Sequence, residues 1–171
     1  MRHKNDFYPT PFSICAPFVN EVHELTQGLE QHVWEPCAGD GRLVRILQGS
    51  RYKVTSGDIS TGQDFFEVRK PAALTLVTNP PFNQIRRFID YAFAIGVQRM
   101  ALIVPERIFA SKIGLEQFQR HKPSKFINMS WREDYLEKGG SPDRALAASF
   151  WQSPCADKTE FDVWAKFSPD L

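Results

Sequence analysis

The sequence predicts an α/β protein, a three-layer αβα sandwich built around a mainly parallel sheet of seven strands. Short β-prone runs alternate along the chain with segments whose apolar residues recur at helical spacing. This alternation is typical of parallel strands connected by covering helices. The run from Met100 to Val104 is apolar throughout, as expected of a strand buried on both faces. No internal repeat or low-complexity tract points to another architecture.

Each element is assigned from its local signals. Pro9 and Pro11 indicate a turn-like N-terminal segment, because each proline biases its predecessor away from helix. The stretch 131–144 is polar and contains Gly139 and Gly140, so we predict a long loop there. The predicted helices cover residues 13–25, 42–48, 84–94 and 113–120, and the predicted strands cover 31–35, 52–56, 74–78, 100–104, 125–129, 147–152 and 161–167.

Length and composition predict one domain that covers residues 1–171, which is long enough for a full core. The net charge is +1, but residues 86–144 carry 11 Lys and Arg against 7 Asp and Glu. A binding surface and a solvated charged face explain that excess equally well. The three cysteines show no metal-ligand or disulfide spacing, so we predict no metal and a reducing, cytoplasmic setting. We expect neither a signal peptide nor a membrane partner.

A glycine-containing loop follows the first predicted strand. Gly39 and Gly41 lie between the strand at 31–35 and the helix at 42–48, where glycine allows the backbone to approach a ligand closely. Asp58 closely follows the next predicted strand, 52–56, and its carboxylate would accept hydrogen bonds from two ribose hydroxyls. These features together predict a cofactor that contains adenosine.

Two residues near this loop decide between adenosine cofactors. Val44 stands where a dinucleotide-binding loop requires glycine or alanine. Glu35 would repel a pyrophosphate but suits an ammonium group. The pattern therefore favours S-adenosylmethionine over NAD.

The sequence NPPF at residues 79–82 follows the predicted strand at 74–78. Its prolines remove N–H donors and stiffen the turn, so the Asn79 side chain and the Pro80 carbonyl would act as acceptors. Phe82 offers a flat face on which a base would stack. Such a corner suits the binding of a planar exocyclic amine. The predicted catalytic set is Asn79, Pro80, Pro81 and Phe82.

Three motifs in this order resemble those of the small DNA adenine-N6 methyltransferases, including the enzymes of phages and prophages. They are DFYPTP at 6–11, EPCAGDG at 35–41 and NPPF at 79–82. The resemblance covers about residues 6–105 and implies a Rossmann-like class I methyltransferase fold with S-adenosylmethionine as cofactor. It also implies the cytoplasm of a bacterial or phage-infected host cell. No separate target-recognition domain fits in the chain, so specificity would be short, relaxed or supplied by a homodimer or a partner.

The resemblance also implies the roles of individual residues. Thr10 and its neighbours would contact the methionine carboxylate, Asp58 would hold the ribose, and Asp64 would accept from the adenine amino group. As alternatives, Asp64 caps a helix and Phe65 and Phe66 belong to the core. The complete predicted cofactor site is Tyr8, Thr10, Pro11, Glu35, Pro36, Gly39, Gly41, Asp58, Ile59, Asp64, Phe65 and Asn79.

The positively charged middle segment would bind DNA phosphates. For each single cation a solvated surface role is the alternative. Three other functions stay open: methylation of adenine in RNA, methylation of glutamine in a protein, and a catalytically silent S-adenosylmethionine-binding regulatory module. The candidate nucleic-acid contacts are Phe82, Arg86, Arg87, Lys112, Lys122, Arg132 and Arg144.

Overall fold

The computed structural model describes residues 10–28, 30–133 and 144–166. Most element boundaries lie within one or two residues of the predicted ones. The helices are α1 (Phe12–Thr26), α2 (Arg42–Gly49), α3 (Ile85–Ala94) and α4 (Lys112–Arg120). The strands are β1 (His32–Glu35), β2 (Lys53–Ser56), β3 (Thr75–Thr78), β4 (Arg99–Pro105), β5 (Lys125–Glu133), β6 (Arg144–Gln152) and β7 (Glu160–Trp164).

The seven strands form one sheet in the order β2-β1-β3-β4-β6-β5-β7. β2, β1, β3 and β4 pair in parallel, and β7 pairs in parallel with β5. β6 is the exception, because it inserts antiparallel between β4 and β5. Its register along β4 runs without a break from Arg99 opposite Gln152 to Pro105 opposite Leu146. The prediction of a mainly parallel, seven-stranded sheet is confirmed.

The two faces of the sheet are covered by different helices. Side chains of successive strand residues point to opposite faces, so Val33 packs with α1 and α2 while Trp34 packs with α3. Both groups of side chains are buried, and burial on both faces also accounts for the continuous apolar run of β4. On the α3 face, Phe88 is 1% exposed and its ring stacks on Phe65 with centroids 3.9 Å apart. Truncation of Phe88 to alanine would therefore destabilise the fold by about 3–5 kcal/mol.

The prediction of a loop over residues 131–144 is wrong at both ends of that range. β5 continues through Trp131 to Glu133, and β6 already begins at Arg144. A register shift between Asn128 and Arg132 lets β5 resume its pairing with β6. Cross-strand pairing therefore overrides the polar local sequence. The remainder, residues 134–143, lies outside the described residues.

The described ranges contain no candidate membrane span, no metal-binding cluster and no disulfide. No described helix combines the length and apolar character that crossing a bilayer requires. No group of three His, Cys, Asp or Glu in the described part of the chain is placed to hold a metal ion. Cys15, Cys37 and Cys155 are free thiols.

Candidate active site

A cleft of ≈ 490 Å³ opens where three parallel strands end. Its described lining comes from residues 35–43 at and beyond the end of β1, 58–66 beyond β2 and 79–88 beyond β3, together with Thr10 from the N-terminal segment. Open α/β sheets bind their ligands beyond the carboxyl ends of the strands. The volume falls in the range of small-molecule sites.

Carboxyl groups dominate the polar lining, and we name this space the acidic cleft. They belong to Glu35, Asp40, Asp58 and Asp64, whereas Arg87 is the one cation among the described lining residues. A lining of this charge attracts a positively charged ligand and disfavours a phosphate.

The loop from β1 to α2 is shaped by two glycines. Gly39 and Gly41 adopt left-handed conformations, with φ of 54° and 76°, which glycine reaches without strain. The Gly39 N–H donates to Asp58 Oδ2 at 2.8 Å, and the Ala38 N–H donates to the Gly57 carbonyl at 2.9 Å. These bonds fasten the loop to the end of β2. Gly39 lines the acidic cleft, whereas Gly41 is not part of the described lining and directs the start of α2.

Asp58 is held in a fixed orientation after β2. Besides Gly39, both the N–H and the hydroxyl of Ser60 donate to Asp58 Oδ1, at 2.8 and 2.6 Å. Burial raises the pKa of Asp58, but the hydrogen bonds from Ser60 and Gly39 outweigh it and lower the pKa overall. The group is therefore a carboxylate at neutral pH and retains lone pairs for a ligand's hydroxyls. Ile59, the next predicted residue, is 65% exposed and lines the same cleft.

Asp64 caps a short turn, which is one of the two roles that the sequence left open, and it also borders the acidic cleft. Its Oδ1 accepts from the Phe66 N–H at 2.9 Å and so caps a short 3-10 turn. The same residue lines the acidic cleft. Phe65 is 5% exposed and packs against Phe88 and Trp34, so its main role is in the core, although it also borders the cleft.

Glu35 is fully buried at the end of β1, beside the predicted Pro36. Its Oε1 accepts from the Cys37 N–H at 2.9 Å and from the Thr78 hydroxyl. Burial raises the pKa of Glu35 to about 8, although both hydrogen bonds act to lower it. Without a positively charged ligand, the predicted carboxylate is therefore largely a protonated acid at neutral pH. Burial, and then Glu35, raise the pKa of the Cys37 thiol, so this thiol is not a nucleophile.

The N-terminal motif reaches the acidic cleft through a single described residue. Thr10 is 6% exposed and lines the cleft. Pro11 is not part of the described lining; it precedes α1, and its carbonyl accepts from the Ile14 N–H at 3.1 Å. Tyr8 lies outside the described residues.

The NPPF corner follows β3 directly and divides its side chains between two spaces. Asn79 and Pro81 line the acidic cleft. Pro80 is buried between them, and Phe82 borders a second cleft of ≈ 480 Å³. Three of the four predicted catalytic residues thus border one of two adjoining clefts, and Pro80 lies in neither described lining.

The second cleft lies between the start of α3 and the segment that follows β4. Arginine supplies every charged group in its described lining, from Arg86, Arg87 and Arg107, and we name it the basic cleft. Gln84 and Arg87 line both clefts and form their shared wall. A polyanion would be attracted to this cleft, in contrast to its neighbour.

Two of the predicted nucleic-acid contacts are engaged within the protein. The Arg86 guanidinium donates to the Ile108 carbonyl and to Gln117 Oε1. Lys122 Nζ donates to the Asp157 carbonyl at 3.0 Å. These bonds favour a structural role for Arg86 and Lys122 over a phosphate contact.

The other predicted cations differ in their positions. Arg87 is exposed, and its Cζ lies 3.9 Å from the centroid of the Phe66 ring. Lys112 begins α4 and Arg132 lies near the end of β5, both exposed. The side chain of Arg144 lies outside the description. Arg87 alone among these cations lines the two clefts.

Sequence reasoning missed several residues of the clefts. Arg107 lines the basic cleft because the segment after β4 packs against α3. Gln63 lines the acidic cleft, and its Oε1 lies so close to Gly57 that a Cβ there would be 2.5 Å away. Gln84, in the shared wall, could have been found as a polar residue two positions after the NPPF corner.

Comparisons with known proteins agree on the fold. No protein-family model matches the chain, and no curated protein matches it in sequence. Solved structures do match. One is a Listeria monocytogenes protein assigned to the class I S-adenosylmethionine-dependent methyltransferases, at TM-score 0.69 and 10% identity, covering 99% of this chain and 69% of that one.

Two further solved structures match over most of this chain. The 23S rRNA methyltransferase ErmE matches at TM-score 0.57 and 15% identity, over 84% of this chain and 69% of its own. A protein of Vibrio vulnificus, described as the modification subunit of a type I restriction enzyme, matches at TM-score 0.55 and 14% identity, over 96% of this chain and 48% of its own. At these identities the matches establish the Rossmann-like class I methyltransferase fold.

Proposed function

We propose that this protein is an S-adenosylmethionine-dependent methyltransferase that acts on the exocyclic N6 amine of adenine in DNA. The position of the NPPF corner carries the proposal. Asn79 and Pro81 border the acidic cleft, while Phe82 borders the basic cleft. An acceptor in the basic cleft would therefore meet a ligand of the acidic cleft at Asn79.

The residues of the acidic cleft fit S-adenosylmethionine in size and in charge. Bound there, this cofactor would supply a methyl group already activated by a positively charged sulfur. The ionised Asp58 would accept from the ribose hydroxyls, and Asp64 from the adenine amine. Thr10 and Glu35 would face the methionine part. Glu35 would lose its proton as the positive charge arrives, because an opposite charge favours the ionised form.

Catalysis would depend on orientation and not on a strong base. The lone pair of the adenine amine is delocalised into the ring, which makes it a poor nucleophile. Hydrogen bonds from the amine to Asn79 Oδ1 and the Pro80 carbonyl would localise this lone pair and aim it at the methyl carbon. Positioning of this kind accounts for several kcal/mol of a barrier, roughly 7–11 kcal/mol at its most effective. An amide does not accept the proton, so the proton would leave to solvent after transfer.

The basic cleft fits a nucleic acid better than a protein substrate. Arg87 and Arg107 would attract phosphates, and Phe82 would stack on the extruded base. Extrusion of a base from a duplex costs a few kcal/mol, which such stacking partly offsets. No carboxylate among the described lining residues opposes a polyanion. The side chain of a glutamine acceptor in a protein is neutral, so the arginines of the basic cleft would contribute little to its binding.

The deciding experiment follows the methyl group. We would incubate the protein with S-adenosylmethionine labelled on the methyl group and unmethylated DNA, digest the DNA to nucleosides and locate the label. Label on N6-methyldeoxyadenosine is the expected result. Label on RNA or on protein glutamine in parallel reactions, with none on DNA, would overturn the choice of acceptor. Cofactor binding without transfer to any of the three would indicate a silent regulatory module.

A further inference from the structure

Arg42, the first residue of α2, joins two segments that are distant in sequence. Its Nη1 donates to the Thr10 carbonyl at 3.0 Å, and its Nη2 lies 3.4 Å from Asp40 Oδ2. Its Cζ also lies 4.4 Å from the centroid of the Phe12 ring. One guanidinium thus connects the N-terminal segment 10–12 to the glycine loop.

Both connected segments contribute to the acidic cleft. Thr10 and Asp40 line it, whereas Arg42 itself does not belong to the described lining. We infer that Arg42 is a positioning residue, which holds segment 10–12 against the glycine loop so that Thr10 closes one wall of the cofactor site. This inference rests on the proposed cofactor.

The other described hydrogen bonds of segment 10–12 join it to α1 and not to the glycine loop; the Ile14 and Cys15 N–H groups donate to the Pro11 carbonyl at 3.1 and 3.3 Å. The Cys15 thiol is a weak donor and lies 3.9 Å from the Thr10 carbonyl. Phe12 is 67% exposed, so burial contributes little to its position, and the contact with the Arg42 cation matters more. Charge-assisted hydrogen bonds are about twice as strong as neutral ones. Arg42 is therefore the strongest described link between this segment and the loop.

Loss of Arg42 is expected to leave the fold intact. α1 is anchored in the core by buried side chains, among them Ile14 and Phe18, both fully buried. The damage would be confined to segment 10–12 and to the wall that it forms. This separation allows a positioning role to be distinguished from a general role in stability.

The test compares cofactor binding in three variants by titration calorimetry. Arg42→Gln removes the charge, and we expect the Kd for S-adenosylmethionine to rise about tenfold, which is about 1.4 kcal/mol. Arg42→Lys keeps the charge but loses the planar fork that reaches two partners, so its Kd should rise by roughly half as much on a logarithmic scale. The matched control is Arg45→Gln, because exposed Arg45 donates to the Asp40 carbonyl without a described bond to segment 10–12; its Kd should change less than about twofold.

Two further readouts separate positioning from stability. We expect Arg42→Gln to raise the KM for S-adenosylmethionine while kcat at saturation stays near wild type. The same variant should speed amide exchange in residues 12–16 of the free protein.

Phe12→Ala, at an exposed site, replaces Arg42→Gln as the test variant if Arg42→Gln does not fold. Its Kd for S-adenosylmethionine should rise about threefold.

The outcomes separate the two proposals. Wild-type protein that binds no S-adenosylmethionine would overturn the proposed function, and this inference with it. Wild-type binding together with unchanged binding by Arg42→Gln would overturn this inference alone. A loss of affinity in Arg42→Gln that only follows a large fall in Tm, with Phe12→Ala binding like wild type, would also overturn it.

Discussion

The acidic cleft and the basic cleft lie on opposite sides of Gln84 and Arg87, are almost equal in volume and carry opposite charge. The first is lined by residues that follow β1, β2 and β3, the second by residues that follow β3 and β4. Only the segment after β3 contributes to both. Opposite charge in the two clefts therefore allows them to select different ligands although only Gln84 and Arg87 form the wall between them. Under the proposed function, a cationic cofactor would be repelled from the basic cleft and a polyanionic acceptor from the acidic cleft.

The residue at the boundary should matter most for the reaction. In Asn79→Ala we expect the rate of methyl transfer to fall by about 10³-fold or more, because the acceptor amine is no longer oriented. The Kd for the cofactor should stay within a few fold of wild type. Single-turnover transfer of labelled methyl groups measures the first effect and calorimetry the second. Asn20→Ala, at an exposed position on α1, is the control, and full activity in Asn79→Ala would contradict the mechanism.

A change confined to the acidic cleft should weaken the cofactor alone. Asp58→Ala removes a fixed carboxylate, and we expect the Kd for S-adenosylmethionine to rise about 10- to 100-fold, as for hydrogen bonds to a charged group. Binding of DNA should not change. Calorimetry and fluorescence anisotropy report the two affinities, with Asp157→Ala, at an exposed site, as control. An unchanged cofactor Kd would remove Asp58 from the site.

The pH dependence of the acidic cleft should follow Glu35. A positively charged ligand favours its ionised form, so binding releases a proton, and affinity should rise roughly tenfold from pH 6 to pH 8. The stability of the ligand-free protein should depend on pH in the opposite direction. Because the pKa of Glu35 is raised to about 8 in the folded state, the folded protein retains a proton that the unfolded chain has lost. Its free energy of unfolding should therefore fall as pH rises from about 4.5 to about 8.

Calorimetry in buffers of different ionisation enthalpy measures the proton released by Glu35. Glu35→Gln keeps an acceptor for the Cys37 N–H and the Thr78 hydroxyl, and should flatten both pH profiles. Glu116→Gln, at an exposed position on α4, should leave them unchanged. A flat wild-type profile would show that Glu35 does not titrate in this range.

The smallest expected effect lies in the basic cleft. Arg107→Glu should weaken DNA binding about tenfold at low salt and reduce the slope of log K against log[salt] by about 1 per lost phosphate contact. The cofactor Kd should not change. Lys53→Glu, at the start of β2 and away from both clefts, controls for net charge. Equal losses in the two variants would remove Arg107 from the interface.

The sequence predicted most of the fold because local and global signals agree. The apolar run at Met100–Val104 became a strand with both faces buried, and the glycine loop did fall between β1 and α2. The prediction failed at 131–133, where pairing with β6 decided the structure. Polarity is a local property, but strand pairing depends on a partner that is distant in sequence.

The candidate site was predictable where a motif marks it. Glu35, Asp58, Asp64 and Asn79 follow strands in recognisable patterns, and all four line the acidic cleft. Arg107 carries no such signal, since its position depends on how the segment after β4 packs. Arg86 was predicted from charge alone, and its bonds to α4 and to the Ile108 carbonyl could not be read from charge.

The antiparallel insertion of β6 has a consequence for anyone who shortens this chain. Both clefts are lined by residues between Thr10 and Ile108, so a fragment that ends near residue 120 would keep every described lining residue. It would also leave β4, with Met100–Val104 fully apolar, as an open edge where β6 now pairs along seven residues. Open apolar edges recruit other chains. Such a fragment should aggregate during expression. A loss of activity on truncation would then reflect insolubility and would not show that the removed residues take part in the reaction.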